Sequence, residues 1–250
     1  MIVLKTAREL KFMREAGRIA ANALRVGGKA VEPGVSTWEM DQIMRRYIEE
    51  NGAVPTFLGY GGYPANACIS VNNVVIHGIP SKKQILKEGD IVSIDVGATF
   101  EGFVGDNAYT FPCGDVSPEA QRLMDTTRES LAEGIRAAVA GARLGDVGSA
   151  VQRYAEARGY SVVRDFVGHG VGAKMHEDPS VPNYGTPGRG VRLLPGMTIA
   201  IEPMINQGVK EVNILEDGWT TVTADGKLSA HFENSIAITP DGPVILTVPD

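Results

Sequence analysis

One fixed offset of 107 residues lays the first half of this chain over the second. Gly34, Arg46, Tyr47, Glu49 and Gly52 fall on Gly141, Arg153, Tyr154, Glu156 and Gly159. The same shift carries Gly89, Ile94 and Asp95 onto Gly196, Ile201 and Glu202. Two separate segments obeying one offset point to a duplicated helix–helix–strand unit. This restricts the fold to two like halves that pack together, with a carboxylate at the same strand position in each, near the shared axis. No linker or low-complexity stretch separates the halves, so a single domain over 1–250 is expected, with an internal boundary near 115/116.

Local signals fill in the unit. Thr6–Glu9 and Ser36–Glu39 are capping-box patterns that open two helices. Gly27-Gly28 reads as the stop of the first, and Asn51-Gly52 as the stop of the second. Ser117-Pro118-Glu119 opens a third helix toward Val139, and Gly141–Gly159 reads as turn, helix and stop. Ala67–Val71 and Val74–His77 are strand-like. Asp90–Val96 and Phe103–Phe111 predict two strands joined by a turn at Glu101-Gly102, which would bring Asp95 and Asp106 opposite one another or nearly so on one face.

Composition excludes several classes. The net charge of −6 and the absence of basic tracts argue against a nucleic-acid partner. No apolar run is long enough for a membrane span and the N-terminus lacks a signal-peptide core, so a cytoplasmic protein with no membrane partner is expected. Cys68 and Cys113 form no CxxC pair, which removes a cysteine-built zinc site and favours two free thiols over a lone disulfide.

The chemistry resides in Asp95, Asp106, His169, Glu202 and Glu233. Each lies in or beside an apolar, glycine-punctuated segment, where a charge is costly unless compensated. Singly, Asp95 also reads as a structural aspartate bonded to backbone amides and Asp106 as a turn residue. Together they present four carboxylates and one imidazole, and divalent cations are the simplest partners that would hold them. A mixed oxygen and nitrogen donor set suits Mn, Fe, Co or Zn better than Mg or Ca. His169 sits in Gly168-His-Gly-Val-Gly172, whose glycines allow close backbone approach and leave the ring room to reach a ligand. His176-Glu177 fails the HExxH pattern because position 180 is serine. No Gly-x-Ser-x-Gly elbow exists, and Cys68 in its apolar strand suits an inert thiol. His231 reads as a surface residue without a role.

Ten motifs then coincide with one family: Tyr60-Gly-Gly-Tyr63, His77-Gly-Ile-Pro80, Ile94-Asp-Val-Gly97, Gly105-Asp-Asn107, Gly168-His-Gly-Val-Gly172, His176-Glu-Asp-Pro179, Pro182-Asn-Tyr-Gly185, Ile201-Glu-Pro-Met204, Asp217-Gly-Trp219 and Glu233. On these residues the chain resembles, end to end, the type I methionine aminopeptidases. The resemblance implies an α+β pita-bread fold, with two pseudo-symmetric helix/strand halves around a central curved antiparallel sheet. It implies two divalent ions, Asp95 on one, His169 and Glu202 on the other, Asp106 and Glu233 bridging. It implies removal of N-terminal methionine before a small second residue, by attack of a metal-bridging hydroxide on the first peptide bond.

By the same resemblance, His77, His176 and Glu202 are catalytic, with the two histidines touching substrate. Phe57, Tyr60, Tyr63, Cys68, Met175 and Trp219 would line the methionine pocket, and their alternative is ordinary core packing. Phe57, Ile76 and Met175 stand where some bacterial relatives carry Cys, Cys and Phe. Nascent chains or peptides with N-terminal methionine are the expected partners, with the ribosome a further candidate and a monomer the expected state. The lack of an N-terminal extension and of an insertion before Glu233 fits the short type I form. Within the fold, an X-Pro dipeptidase or aminopeptidase P uses the same five ligands; a non-catalytic binding protein of this fold is the other alternative.

Overall fold

The computed structural model describes residues 1–250. Four helices, α1 (Ala7–Lys29), α2 (Thr37–Glu50), α3 (Pro118–Ala137) and α4 (Leu144–Glu156), come in two consecutive pairs, each followed by a run of strands. The first half holds β1 (Val54–Pro55), β2 (Ala67–Val71), β3 (Val74–Ile76), β4 (Ile91–Phe100) and β5 (Phe103–Pro112). The second holds β6 (Ser161–Val162), β7 (Gly168–Gly170), β8 (Glu177–Val181), β9 (Thr198–Ile201), β10 (Met204–Asn206), β11 (Val212–Ile214), β12 (Thr221–Thr223), β13 (Ser229–His231), β14 (Glu233–Thr239) and β15 (Gly242–Ile245).

The main sheet runs β1-β4-β5-β14-β9-β7-β8, with β2 also on β4 and β15 on β14. Its pairings are all antiparallel, and two three-stranded sheets, β13-β10-β6 and β11-β12-β3, complete the α+β architecture. Each half packs its own helices on the sheet. Ile19, Met40, Met44 and Ile48 of α1 and α2 join Val92, Ile94 and Val96 of β4 in one core. Leu123, Leu131, Val147 and Val151 of α3 and α4 join Ile199 and Ile201 of β9 in the other. No helix is long and apolar enough to cross a membrane.

The 107-residue offset reappears in the hydrogen bonds. The Gly34 amide donates to the Leu86 carbonyl and the Leu86 amide to the Val35 carbonyl; the Gly141–Leu193 and Leu193–Ala142 bonds are their equivalents. The isolated bridges Ser36–Ile85 and Arg143–Arg192 obey the same shift. Glycine recurs at these turns for a steric reason. Gly34 and Gly141 have φ of 94° and 90°, and Gly89 and Gly196 have 88° and 92°, values that L side chains resist.

Both capping boxes form, with the Glu9 and Glu39 amides donating to Thr6 and Ser36. Gly27-Gly28 does not end the first helix, contrary to the sequence reading. Helix α1 continues through both glycines to Lys29. They serve packing: a methyl on Gly27 would overlap the Met44 side chain, and one on Gly28 the Phe111 ring. Glycine costs a helix roughly 1 kcal/mol per site, which close contact with α2 and β5 offsets. Cys68 and Cys113 are buried free thiols.

Candidate metal centre

The β4–β5 hairpin turns at Glu101-Gly102, both at positive φ (49° and 78°), the requirement of a tight two-residue turn matched to strand twist. This turn sets the register. Asp95 pairs with Ala108 and Asp106 with Gly97. The two aspartates are therefore diagonal neighbours on one face rather than directly opposed, which is the nearer-miss form of the sequence expectation. Both stand mid-strand, so the turn-aspartate reading of Asp106 does not hold.

Across the sheet the register builds a row. Cys68 pairs with Asp95, Asp95 with Ala108, and Ala108 with Glu233. Asn234 pairs with Ile201, so Glu202 continues the row beside Glu233. Strand β7 packs against β9 through the Gly170–Ile199 pair, which brings His169 to the same face. Glycine is needed on either side of it. A methyl on Gly168 would overlap the Ala200 carbonyl, and one on Gly170 the Asp178 carbonyl. Residues far apart in sequence thus converge by ladder arithmetic alone.

The electrostatics of this row are unfavourable without a cation. Burial pushes the Asp106 carboxyl up to about 7, against a hydrogen bond from Glu233 and one from the Asn107 amide. Burial and then the Asp106 charge push Asp95 and Glu202 well above the carboxylate range. Glu233 is raised by the same causes. Four oxygens, Asp95 Oδ1, Asp106 Oδ1, Glu202 Oε1 and Glu233 Oε1, are buried with no hydrogen-bond partner. The reading of Asp95 as an aspartate satisfied by backbone amides fails on this point.

His169 is already set for ligation. Its Nδ1 lies 2.9 Å from the Gly170 carbonyl oxygen, which can only accept, so the ring proton is on Nδ1. Its Nε2 lone pair then faces Asp106 Oδ2 at 3.6 Å and Glu202 Oε1 at 3.5 Å. Ligating atoms of Asp106, His169 and Glu233 all lie within 4.8 Å of one another. Burial, helped by the neighbouring His176, pulls the His169 ring down to about 4, keeping it neutral. A neutral imidazole and four unpartnered carboxylate oxygens form a donor set that fits divalent ions.

A cavity of about 320 Å³ opens over this row, and every residue expected at the site lines it. His77 and His176 stand on its walls. His77 has φ of 58°, a strained left-handed conformation for a non-glycine residue. Its ring packs edge-on against Phe166 and Trp219 at 5.6 and 6.1 Å. The Tyr60 hydroxyl is 2.6 Å from His176 Nδ1. Tyr63, whose hydroxyl donates to the Ala67 and Gly78 carbonyls, meets the Trp219 ring at 5.2 Å. Phe57, Cys68 and Met175 form an apolar end. Burial and the Asp95 charge raise the Cys68 thiol well above its usual range, so it is inert there.

Two residues escaped the sequence reading. Phe166 supports His77, and nothing in its flanking residues signals this. His231 is buried at 2% exposure, not on the surface as its polar character suggested. A ring nitrogen of His231 lies within 4.8 Å of carboxylate oxygens of both Glu202 and Glu233. The available signal was its place between Ala230 and Phe232, two residues before Glu233.

Residues 11–240 match metallopeptidase family M24. A methionine aminopeptidase of Clostridium perfringens is 54% identical over 248 residues, 99% of each chain. The crystal structure of methionine aminopeptidase from Thermotoga maritima has a TM-score of 0.97 at 47% identity, with 99% of both chains covered. A prolidase from Pyrococcus horikoshii shares the fold, with a TM-score of 0.80 at 23% identity, and extends well beyond this chain, which covers 65% of it. The end-to-end match and the shared pita-bread architecture lead to one conclusion: the chain belongs to the methionine aminopeptidases of metallopeptidase family M24.

Proposed function

We propose that this chain removes the N-terminal methionine from nascent proteins and peptides with a small second residue, using two divalent ions. The observation that carries the reading is the set of four buried carboxylate oxygens without partners around the open Nε2 of His169. Asp95 would hold one ion, His169 and Glu202 the other, and Asp106 and Glu233 would bridge them. Divalent ions in such a set supply Lewis acidity toward the scissile carbonyl and a water of lowered pKa. Mn, Fe, Co and Zn all suit the donors.

The chain's own groups do the rest. Glu202 adjoins the metal set at the cavity floor and carries a proton from water to the departing amine. With the Tyr60 hydroxyl donating to Nδ1 of His176, that ring holds its proton on Nε2 and offers it to the oxygen that gains charge. His77, packed between Phe166 and Trp219, contacts the substrate amide. Phe57, Tyr63, Cys68, Met175 and Trp219 enclose an unbranched thioether, with Tyr60 at the rim. We place the activity in the cytoplasm, on chains emerging from the ribosome, by a monomer.

The test is to strip the purified chain with chelator and assay Met-Ala and X-Pro peptides with and without Mn or Co. Met-Ala cleavage restored by metal is expected. Activity surviving complete metal removal, or preference for X-Pro, would end this reading. Glu202→Gln should abolish turnover with the fold intact, and full activity in that variant would remove the proton-carrier role.

A further inference from the structure

We propose that His231 is a positioning residue for Glu202: its Nε2–H donates to the Glu202 carboxylate and fixes that side chain's orientation toward the metal set. The inference rests on the metal reading above. Its own footing is geometric. His231 Nε2 and Glu202 Oε1 are both buried, and both lack a hydrogen-bond partner. A ring nitrogen of His231 and the carboxylate oxygens of Glu202 and Glu233 lie within 4.8 Å of one another. Glu233 Oε1 is buried and unpartnered as well, but Glu233 stands against Asp106, with ligating oxygens of the two within 4.8 Å of one another. His169 is on the metal-facing side of Glu202, with its proton committed to Gly170. His231 is therefore the protein donor available to Glu202. A buried donor and a buried acceptor left apart each cost free energy that one short side-chain rotation recovers.

The backbone under His231 is built to hold the ring there. Its amide donates to the Thr110 hydroxyl at 3.0 Å, and that hydroxyl donates back to the His231 carbonyl at 2.9 Å. Ser93 meets the same hydroxyl at 2.8 Å. The register supplies the approach, because His231 pairs with Met204, two residues past Glu202. A donor behind a ligating carboxylate restricts its rotamer and keeps one oxygen aimed at the ion, and losing such a partner costs roughly 10–100-fold in metal affinity or activity. His231 touches neither substrate nor ion in this arrangement; it acts through Glu202.

Calorimetric Mn titration of the chelator-stripped chain tests this on wild type, His231→Leu and His231→Gln. His231→Leu should weaken Mn binding by roughly 10–100-fold, and His231→Gln, which keeps a donor, should restore it to within about threefold. In the loaded enzyme kcat should fall in step with affinity while KM for a Met-Ala peptide holds. Imidazole nitrogen shifts by NMR read the wild-type chain directly, and the chain has only 4 histidines to assign. They should place the His231 proton on Nε2 with and without Mn. A proton on Nδ1, or a metal-bound Nε2, overturns the proposal even where His231→Leu fails to fold. So does a folded His231→Leu that binds Mn within about twofold of wild type. A wild-type chain that takes up no Mn overturns the metal reading together with this one, whereas Mn binding indifferent to residue 231 overturns this one alone.

Discussion

Removing the cation should reverse the way stability responds to pH near neutrality. Asp106 is pushed up to about 7, and Asp95, Glu202 and Glu233 are raised well above their ordinary range, each chiefly by burial. A carboxyl whose folded pKa exceeds its unfolded one stabilises below the unfolded value, and that stability is lost as pH rises through the folded value. The histidines oppose this at lower pH. His77 and His169 are pulled down to about 4 and His231 to about 3, from 6.5, so they favour the fold increasingly as pH rises toward 6.5. The two effects cancel in part on the acid side.

From pH 6.5 the unfolded histidines lose the rest of their protons, an opposing contribution of roughly 0.4 kcal/mol each that fades by about pH 7.5 and leaves the carboxyls dominant. The window closes near pH 8, where unfolded thiols begin to ionise and add the same sign. Each proton the fold retains contributes a slope of about 1.4 kcal/mol per pH unit, so two or three retained protons, less the histidine contribution, should cost the stripped chain roughly 2–4 kcal/mol across this window. With Mn bound the carboxylates are ionised at the outset, so the falling slope should disappear and only the small rise from the histidines remain. Urea midpoints with chelator and with Mn provide the measurement. Calorimetry in buffers of different ionisation enthalpy should show more than about one proton released on Mn binding at pH 7. A stripped chain whose stability stays flat or rises from pH 6.5 to 8, together with Mn binding that releases no protons, would show that the buried carboxyls do not hold protons in the stripped fold.

Three further outcomes follow from particular contacts. At His77 (φ 58°), His77→Gly should be more stable than His77→Ala by about 1 kcal/mol, an inversion of the usual order that thermal melts would detect. Gly170→Ala should cost roughly 1–3 kcal/mol and weaken Mn binding, because its methyl meets the Asp178 carbonyl and pushes β7, with His169, away from β8. Lys5 and Glu177 form a buried pair, with side chains 3% and 11% exposed, so Lys5→Ala should cost about 3–5 kcal/mol while Lys5→Met with Glu177→Leu recovers most of it in urea titrations.

Much of the molecule is legible in one dimension because its causes are local. The Thr6 and Ser36 boxes close within four residues, and the Glu101-Gly102 turn sets the β4–β5 register by itself. The 107-residue repeat is legible because its glycines occupy left-handed turns that other residues resist, and these turns recur with their hydrogen bonds intact. The five metal-type side chains stand out as charges among apolar neighbours. Their motifs and spacing lead to the M24 family that the whole-chain match shows.

The remaining features depend on partners distant in sequence. The row Cys68–Asp95–Ala108–Glu233, continued by Glu202, exists because β14 enters between β5 and β9. No local pattern dictates which strand lies beside which. The same holds for Gly27-Gly28, a helix stop by local propensity but a contact surface once α2 and β5 arrive. It holds most clearly for His231. Local polarity makes a histidine look solvated, while its burial against Glu202 and Glu233 is settled by the β10–β13 pairing and the Thr110 clasp. The chain carries its donors and turns in its own order; burial, register and the unpartnered oxygens that call for a cation arise only when the strands are assembled.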